Sequence, residues 1–376
     1  MSAGMSGVSL QKSRNPSSRS VASAADRVVR AVDACRRGAA VIMREKGSAA
    51  TLVLPVETAS SDSLALFAPD APVRQVLTHA RARTLKIRLY TPEIVAIVPD
   101  RPLSPARLRA IADPTADLAE PLKGPFEAVR TPLPAAYAAA VKLAKLSGLL
   151  PSVVAGPAPA GLRGVVTLSA RDVRDYEAEA VRSLALVARA RVPLEGAEKA
   201  ELAAFRAHDG GPEHYALIIG SPPRDAPVLA RLHSECFTGD LLGSLKCDCG
   251  AQLRGAIRTI AAAGGGILLY LAQEGRGIGL INKLRTYRLQ DQGFDTIEAN
   301  ERLGFDADER LYGVAARMLQ LLGYRAVRLL TNNPDKVASL AAAGVDVVER
   351  VPHAFPDNEH NRAYLKTKAA RAGHLL

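Results

Sequence analysis

Apolar residues recur at helical spacing over residues 24–37, which predicts an opening helix. Short apolar runs at 39–43, 51–55, 86–90 and 94–98 then predict strands. Helical stretches at 104–112 and 135–146, strands at 152–155 and 164–168, and a long helix from 170 to about 190 complete a first unit. A second unit opens with strands at 215–219 and 227–232, followed by a helix over 250–263 that Gly264, Gly265 and Gly266 stop. Strands at 267–271, 327–330 and 345–350 alternate with helices at 282–292, 308–322 and 334–343. No internal repeat is visible. The pattern predicts an α/β protein of mixed α+β character, with two domains that each pack helices on a mixed sheet.

Local composition sets the expected boundaries. Residues 1–25 carry Lys12, Arg14 and Arg19 among serines, with no acid before Asp26, and read as a disordered tail in preference to a transit peptide. Gly210, Gly211 and Pro212 make 206–213 a linker, dividing a first domain over 26–205 from a second over 214–376. At 376 residues and 48% hydrophobic, the chain can bury two cores. No run of about 18 apolar residues marks a membrane span, and no secretory signal is present, so a soluble, cytoplasmic protein without membrane partners is expected. The net charge of +11 favours a polyanionic partner: nucleic acid, phosphate or nucleotide. Nucleic acid is disfavoured, because aromatic residues make up 4%, Trp is absent and no paired CxxC knuckle occurs.

Of four cysteines, Cys236, Cys247 and Cys249 have the spacing C-x10-C-x-C, the last two straddling Asp248 at an expected helix start. Thiolates there are favoured by the positive end of the helix. Three cysteine ligands suit an open, catalytic metal site, since closed structural sites use four. A closed site completed by His233 or Cys35, or three merely buried cysteines, are the alternatives. Asn333 followed by Pro334 reads as an N-cap and first helical residue, so that Thr331, the following N–H groups and Lys336 can surround an anion. Taken alone, Asp308 reads as a cap on the helix that follows it, with Arg310 a solvated first-turn charge.

Several blocks occur in order: Arg231 to Asp240 (RLHSECFTGD), Leu245 to Gln252 (LKCDCGAQ), Gln273 to Gly279 (QEGRGIG), Asp306 to Arg310 (DADER) and Leu330 to Lys336 (LTNNPDK). Over about residues 215–376 they closely resemble GTP cyclohydrolase II. That resemblance implies zinc on Cys236, Cys247 and Cys249, with a water made acidic by the metal attacking C8 of guanine and a second hydrolysis releasing formate. It implies Asp308 as proton acceptor, Arg310 as nucleophile on the α-phosphorus with the alternative that it stabilises charge there, and Tyr287 as a further catalytic residue. Arg231, Glu235, Gln252, Glu274, Arg276, Thr296, Thr331 and Lys336 match GTP-contacting positions, with Glu274 suited to the guanine NH groups and Arg276 to phosphate. Magnesium accompanying the triphosphate and a homodimer are also implied.

In many bacteria such a domain is fused behind 3,4-dihydroxy-2-butanone 4-phosphate synthase, and the stretch Val141 to Leu149 (VKLAKLSGL) faintly resembles a helix of that synthase. Only Glu45 and Glu57 are acidic between Ala34 and Ser61, and His79 is the only histidine before His208, so the acids and histidines of synthase chemistry are missing. A degenerate, non-catalytic first domain is expected. A bifunctional enzyme and an inactive regulatory homologue are the alternatives.

Overall fold

The computed structural model describes residues 23–356 together with 359, 361 and 362. Most of the expected tail at 1–25 lies outside these residues; Ser23 caps the first helix through a reciprocal pair with Asp26. In chain order the first half runs α1 (Ala24–Arg36), β1 (Val41–Met43), β2 (Thr51–Pro55), α2 (Ser61–Leu64), β3 (Arg74–Thr78), α3 (His79–Thr84), β4 (Ile94–Val98) and α4 (Pro105–Ala112). It continues through β5 (Glu127–Ala128), α5 (Ala135–Leu146), β6 (Ser152–Pro157), β7 (Thr167–Leu168) and α6 (Ala170–Ser183). The second half comprises β8 (Ala185–Arg191), β9 (Ala200–Arg206), β10 (His214–Gly220), β11 (Val228–Ser234), α7 (Cys249–Ala262) and β12 (Gly265–Leu271). After it come α8 (Leu280–Asp291), α9 (Thr296–Arg302), α10 (Tyr312–Leu322), β13 (Ala326–Leu330), α11 (Pro334–Ala342) and β14 (Asp346–Val351).

Two seven-stranded mixed sheets result, ordered β5-β4-β3-β6-β2-β1-β7 and β14-β13-β11-β12-β10-β9-β8. In the first, strand alternation divides the buried side chains between two faces. Val41, Met43 and Val53 join α1, α5 and α6 in one core, while Ile42, Leu52 and Leu54 point to another. That second core contains Ile278, Leu289, Ala299, Leu303 and Phe305, so α8, α9 and their flanks from the second half cover the first sheet. Burial on both faces explains why these strands read as continuous apolar runs.

Three expectations need correction. The helix expected to reach about 190 ends at Ser183, and Ala185–Arg191 is an edge strand paired with β9. Its Ala and Arg content favours a helix locally, but the ladder with β9 overrides that preference. The expected linker is a connection between antiparallel neighbours, since Phe205 pairs with His214; the change of sheet falls across α6, ahead of the expected boundary near 205. Residues 86–90 form no strand: Lys86 has φ 59, and Leu89 and Tyr90 are exposed. The strand of that region is β3, between β4 and β6.

Candidate functional site

In the second sheet β11 lies between β12 and β13 and runs parallel to both. The chain leaves β11 through α7 to β12 on one side and returns through α10 to β13 on the other, so a crevice opens beyond the carboxyl ends of these strands. Cys236 follows β11, Glu274 follows β12 and Thr331 follows β13. One cleft takes in all three positions.

The three sulfurs of Cys236, Cys247 and Cys249 lie within 4.8 Å of one another. Cys236 Sγ and Cys247 Sγ are 3.7 Å apart; a tetrahedral zinc with bonds near 2.3 Å separates its sulfurs by about 3.8 Å. Cys236 begins a π-type turn, Phe237–Leu241, and Cys249 is the first residue of α7. Gly239 in that turn is required by space, because a Cβ there would meet Cys247 Sγ at 2.7 Å and Cys236 Sγ at 3.0 Å. Asp240 anchors the turn by accepting from the Cys236 N–H at 3.0 Å and from the Tyr270 hydroxyl at 3.0 Å, and by pairing with His233 Nε2 at 3.1 Å. His233 is thus a partner of Asp240, and Cys35 lies in the first core, so neither joins the cluster. Hydrogen bonds from Cys247 and Cys249, helped by Lys283, hold Cys236 far below an ordinary thiol. Cys236 in turn pushes both neighbours up, Cys247 to about 11. Three crowded sulfurs can ionise together only against a multivalent cation, and the set therefore fits zinc with one position left for water.

Every site residue expected from the sequence lines this cleft except Asp308, which pairs with the lining Arg310. Arg231 is buried; its Nη1 donates to Leu330 O at 2.8 Å and its Nη2 to Gln252 Oε1. Burial brings its pKa down to about 10. Arg231 Nε and Ser234 Oγ are buried without a protein partner among the described residues, a capacity a ligand can fill. Glu274 Oε2 accepts from the Phe237 N–H at 2.6 Å, and its Oε1 accepts from Lys283 Nζ at 2.7 Å. Burial, then the neighbouring Glu274 and Asp240, push Glu235 up. Burial raises Tyr287 to about 12, so it keeps its proton, and its hydroxyl lies 3.2 Å from Thr238 Oγ1. Asn333 caps α11 as expected, accepting from the Asp335 N–H at 2.9 Å, and Lys336 Nζ donates to Leu232 O at 3.0 Å. Gln290 Nε2 fixes Thr296 by donating to its Oγ1 at 2.7 Å.

The reading of Asp308 as a cap is corrected, since α10 starts at Tyr312 with Leu311 at its N-cap. Asp308 instead takes Arg310 in a fork: Oδ1 accepts from Nε at 2.7 Å, and Oδ2 accepts from Nη2. The Arg310 side chain is 11% exposed, so it is no solvated charge. Although burial opposes ionisation, the Arg310 hydrogen bonds and charge hold Asp308 below the usual carboxylate range. Arg276 sits in left-handed backbone at φ 63, and Gly277 beside it passes so close to the Arg310 loop that a Cβ would lie 2.7 Å from Glu309 O.

Lys283 and His353 were missed. Lys283 Nζ also donates to Cys236 Sγ at 3.0 Å, joining the sulfur cluster to Glu274. Its signal was present: Lys283, Thr286, Tyr287 and Gln290 share one helical stripe on α8 that faces the cleft. His353 follows β14, beyond any local pattern, and reaches Gln252 O at 2.9 Å.

Three clustered cysteine sulfurs able to hold a metal, in a cleft where Arg231, Lys246, Arg276, Lys283, Arg310 and Lys336 outnumber Glu235 and Glu274, fit a metal-dependent hydrolase for an anionic substrate. The sequence profile described as GTP cyclohydrolase II matches residues 185–352, beginning where β8 begins. The chain belongs to the GTP cyclohydrolase II family. A GTP cyclohydrolase-2 of Azospirillum brasilense is 50% identical over 361 residues, covering 93% of this chain and 94% of the relative. One of Azotobacter vinelandii is 61% identical over 166 residues, covering 44% of this chain and 80% of its own length. Among solved structures, a two-domain 3,4-dihydroxy-2-butanone 4-phosphate synthase from A. baumannii aligns with a TM-score of 0.32 at 17% identity, over 86% of this chain and 99% of that one.

Proposed function

We propose that the chain opens the imidazole ring of GTP, releasing formate and pyrophosphate and giving 2,5-diamino-6-(5-phosphoribosylamino)pyrimidin-4(3H)-one, the first step of riboflavin synthesis. The observation that carries this reading is the sharing of one cleft by three clustered sulfurs and six cationic side chains. Cys236, Cys247 and Cys249 would hold zinc, which when bound supplies Lewis acidity and a nucleophilic water at neutral pH. Glu274, held by Lys283 and the Phe237 N–H, accepts guanine NH groups with its remaining lone pairs. Arg231, Gln252, Arg276, Thr331 and Lys336 bind the phosphates and ribose, and magnesium accompanies the triphosphate. Glu235 and Thr296 complete the substrate contacts, and Tyr287, its hydroxyl 3.2 Å from Thr238 Oγ1, acts as a further catalytic residue beside the sulfurs. Arg310 attacks the α-phosphorus and the Pα–O bond to pyrophosphate breaks, pyrophosphate leaving, while Asp308, already hydrogen-bonded to Nε and Nη2, takes the proton that the guanidinium must lose; water then cleaves the Arg310–phosphorus bond and frees the product.

In this reading the enzyme acts in the cytoplasm without nucleic acid, as a homodimer. Phe237, Leu241, Leu242 and Leu245 around the metal turn, and Ile281 and Leu284 on α8, are large apolar side chains left exposed, as an assembly surface requires. The purified protein, incubated with GTP and magnesium, is expected to release formate and pyrophosphate in equal amounts and, in light scattering, to weigh twice its 39.7 kDa chain. Absence of formate from folded, zinc-loaded protein would sink the activity.

A further inference from the structure

The loop that presents Arg310 is held from behind by the other half of the molecule. Lys145 occupies the last turn of α5, a helix whose Tyr137, Ala140, Val141 and Ala144 are buried in the first core. Its ammonium crosses to residues of the second half, lying 2.5 Å from Glu309 Oε1 and 3.1 Å from Asp306 Oδ2. Neither main partner is freely solvated, the side chains of Lys145 and Glu309 being 21% and 19% exposed. Glu309 Oε1 also accepts from the Asp306 N–H at 2.8 Å, closing the turn on itself. On the cleft side, the Glu309 N–H donates to Arg276 O at 3.0 Å, and Arg276 Nη1 donates to Ala307 O at 3.2 Å. Residues between α9 and α10 have no helix or strand bonds to fix them, so these contacts hold them in place.

Charge makes the Lys145 contact more than a brace. Asp306, Asp308 and Glu309 put three carboxylates within four residues of a cleft otherwise built for a polyanion. Asp308 is taken by Arg310, and Lys145 answers the other two. Without it, Glu309 would keep a poorly solvated charge and draw toward water, taking the backbone next to Arg310 with it. Other contacts bind the same neighbourhood to the first half. Phe305 is buried in the core shared with the first sheet, and a Cβ on Gly304 would lie 2.8 Å from Thr78 Oγ1. We propose that Lys145 is a positioning residue for Arg310, and that holding this loop is a task of the first domain in the reaction.

The inference rests on the part assigned to Arg310 in the GTP reaction. In the full-length, zinc-loaded chain, Lys145→Met is expected to lower kcat for formate release at least about fivefold while the GTP KM changes less, because a displaced Arg310 is missed mainly in the transition state. Lys145→Arg should restore most of the rate. Glu309→Gln should act like Lys145→Met, and the double variant should be no slower than either single one, since both remove the same interaction. Independently of turnover, amide hydrogen exchange across residues 306–310 should quicken in Lys145→Met. Should Lys145→Met fail to fold, Glu309→Gln and its exchange carry the test from the other side. An unchanged kcat, losses that multiply in the double variant, or unchanged exchange at 306–310 would overturn the inference. A parent protein inactive on GTP, with exchange across 306–310 quickened in Lys145→Met, would leave the clamp standing and remove the activity reading instead.

Discussion

Two residues of the cleft have separable duties, and substituting them distinguishes the chemistries. Cys249 is a proposed metal ligand at the start of α7, and Arg310 sits in a fork on Asp308. Cys249→Ser should remove most of the zinc, about one ion per chain in the parent by metal analysis, and abolish formate release. Some pyrophosphate release should survive, because Arg310 and the phosphate contacts stay in place. Arg310→Ala should keep its zinc yet lower both products by at least about a hundredfold, the loss expected when a group acting on the reacting phosphorus is removed. A zinc-loaded, folded Arg310→Ala protein that releases formate at the parent rate would show that attack on phosphorus does not precede ring opening. Circular dichroism must accompany this variant, because it also leaves Asp308 half buried without its cation.

Elements tie to one another partly through buried neutral histidines. His214 begins β10, and its Nδ1 accepts from the Ala272 N–H at 3.1 Å just past β12. His353 follows β14 and joins it to α7 through Gln252 O. Burial lowers the pKa of each to about 4 from 6.5. The folded state therefore resists protonation, so the stability these residues contribute is present above pH 6.5 and is lost as pH falls from 6.5 toward 4. Each can contribute a slope of at most about 1.4 kcal/mol per pH unit in that window, reduced by whatever solvent reaches the ring. The melting temperature should fall between pH 7 and pH 5, and less steeply in His353→Gln, in which one titrating group is gone. A melting temperature flat across that range in the parent would contradict the assignment.

At the scale of the whole molecule, we propose that the first domain serves as structure. Its few candidate acids are engaged: Glu45 accepts from the Ala170 N–H at 2.5 Å, and Glu57 accepts from the Leu150 N–H at 2.7 Å and from Arg285 Nη2 at 2.9 Å. His79 is bound to Thr91 O at 2.7 Å. Glu57 with Arg285, and Gly148 O with Asn282 Nδ2, fasten α8, which carries Lys283 and Tyr287. Incubation with ribulose 5-phosphate and magnesium is accordingly expected to yield no dihydroxybutanone phosphate above a blank. Its appearance would make the protein bifunctional and overturn the reading of this half as a scaffold.

Much of this was written locally. Helix α5, strands β2 and β4 and the Asn333 cap follow from periodicity and capping chemistry within a few residues, which is where those forces act. The three cysteines were legible from their spacing, and Arg231, Arg276, Arg310 and Lys336 from short blocks shared with the family, whereas Lys283 on α8 was not. Strand β8 was not, since its Ala and Arg residues favour a helix until β9 supplies the ladder. Nor was the fork of Arg310 on Asp308, because only the tertiary structure starts α10 after both residues and leaves them in a loop. Lys145 with Glu309, Glu57 with Arg285, and the sharing of one core by the first sheet with α8 and α9 join residues more than a hundred positions apart. Local sequence fixes which groups are available; the meeting of such distant groups depends on how two sheets pack, and no short window of sequence encodes that.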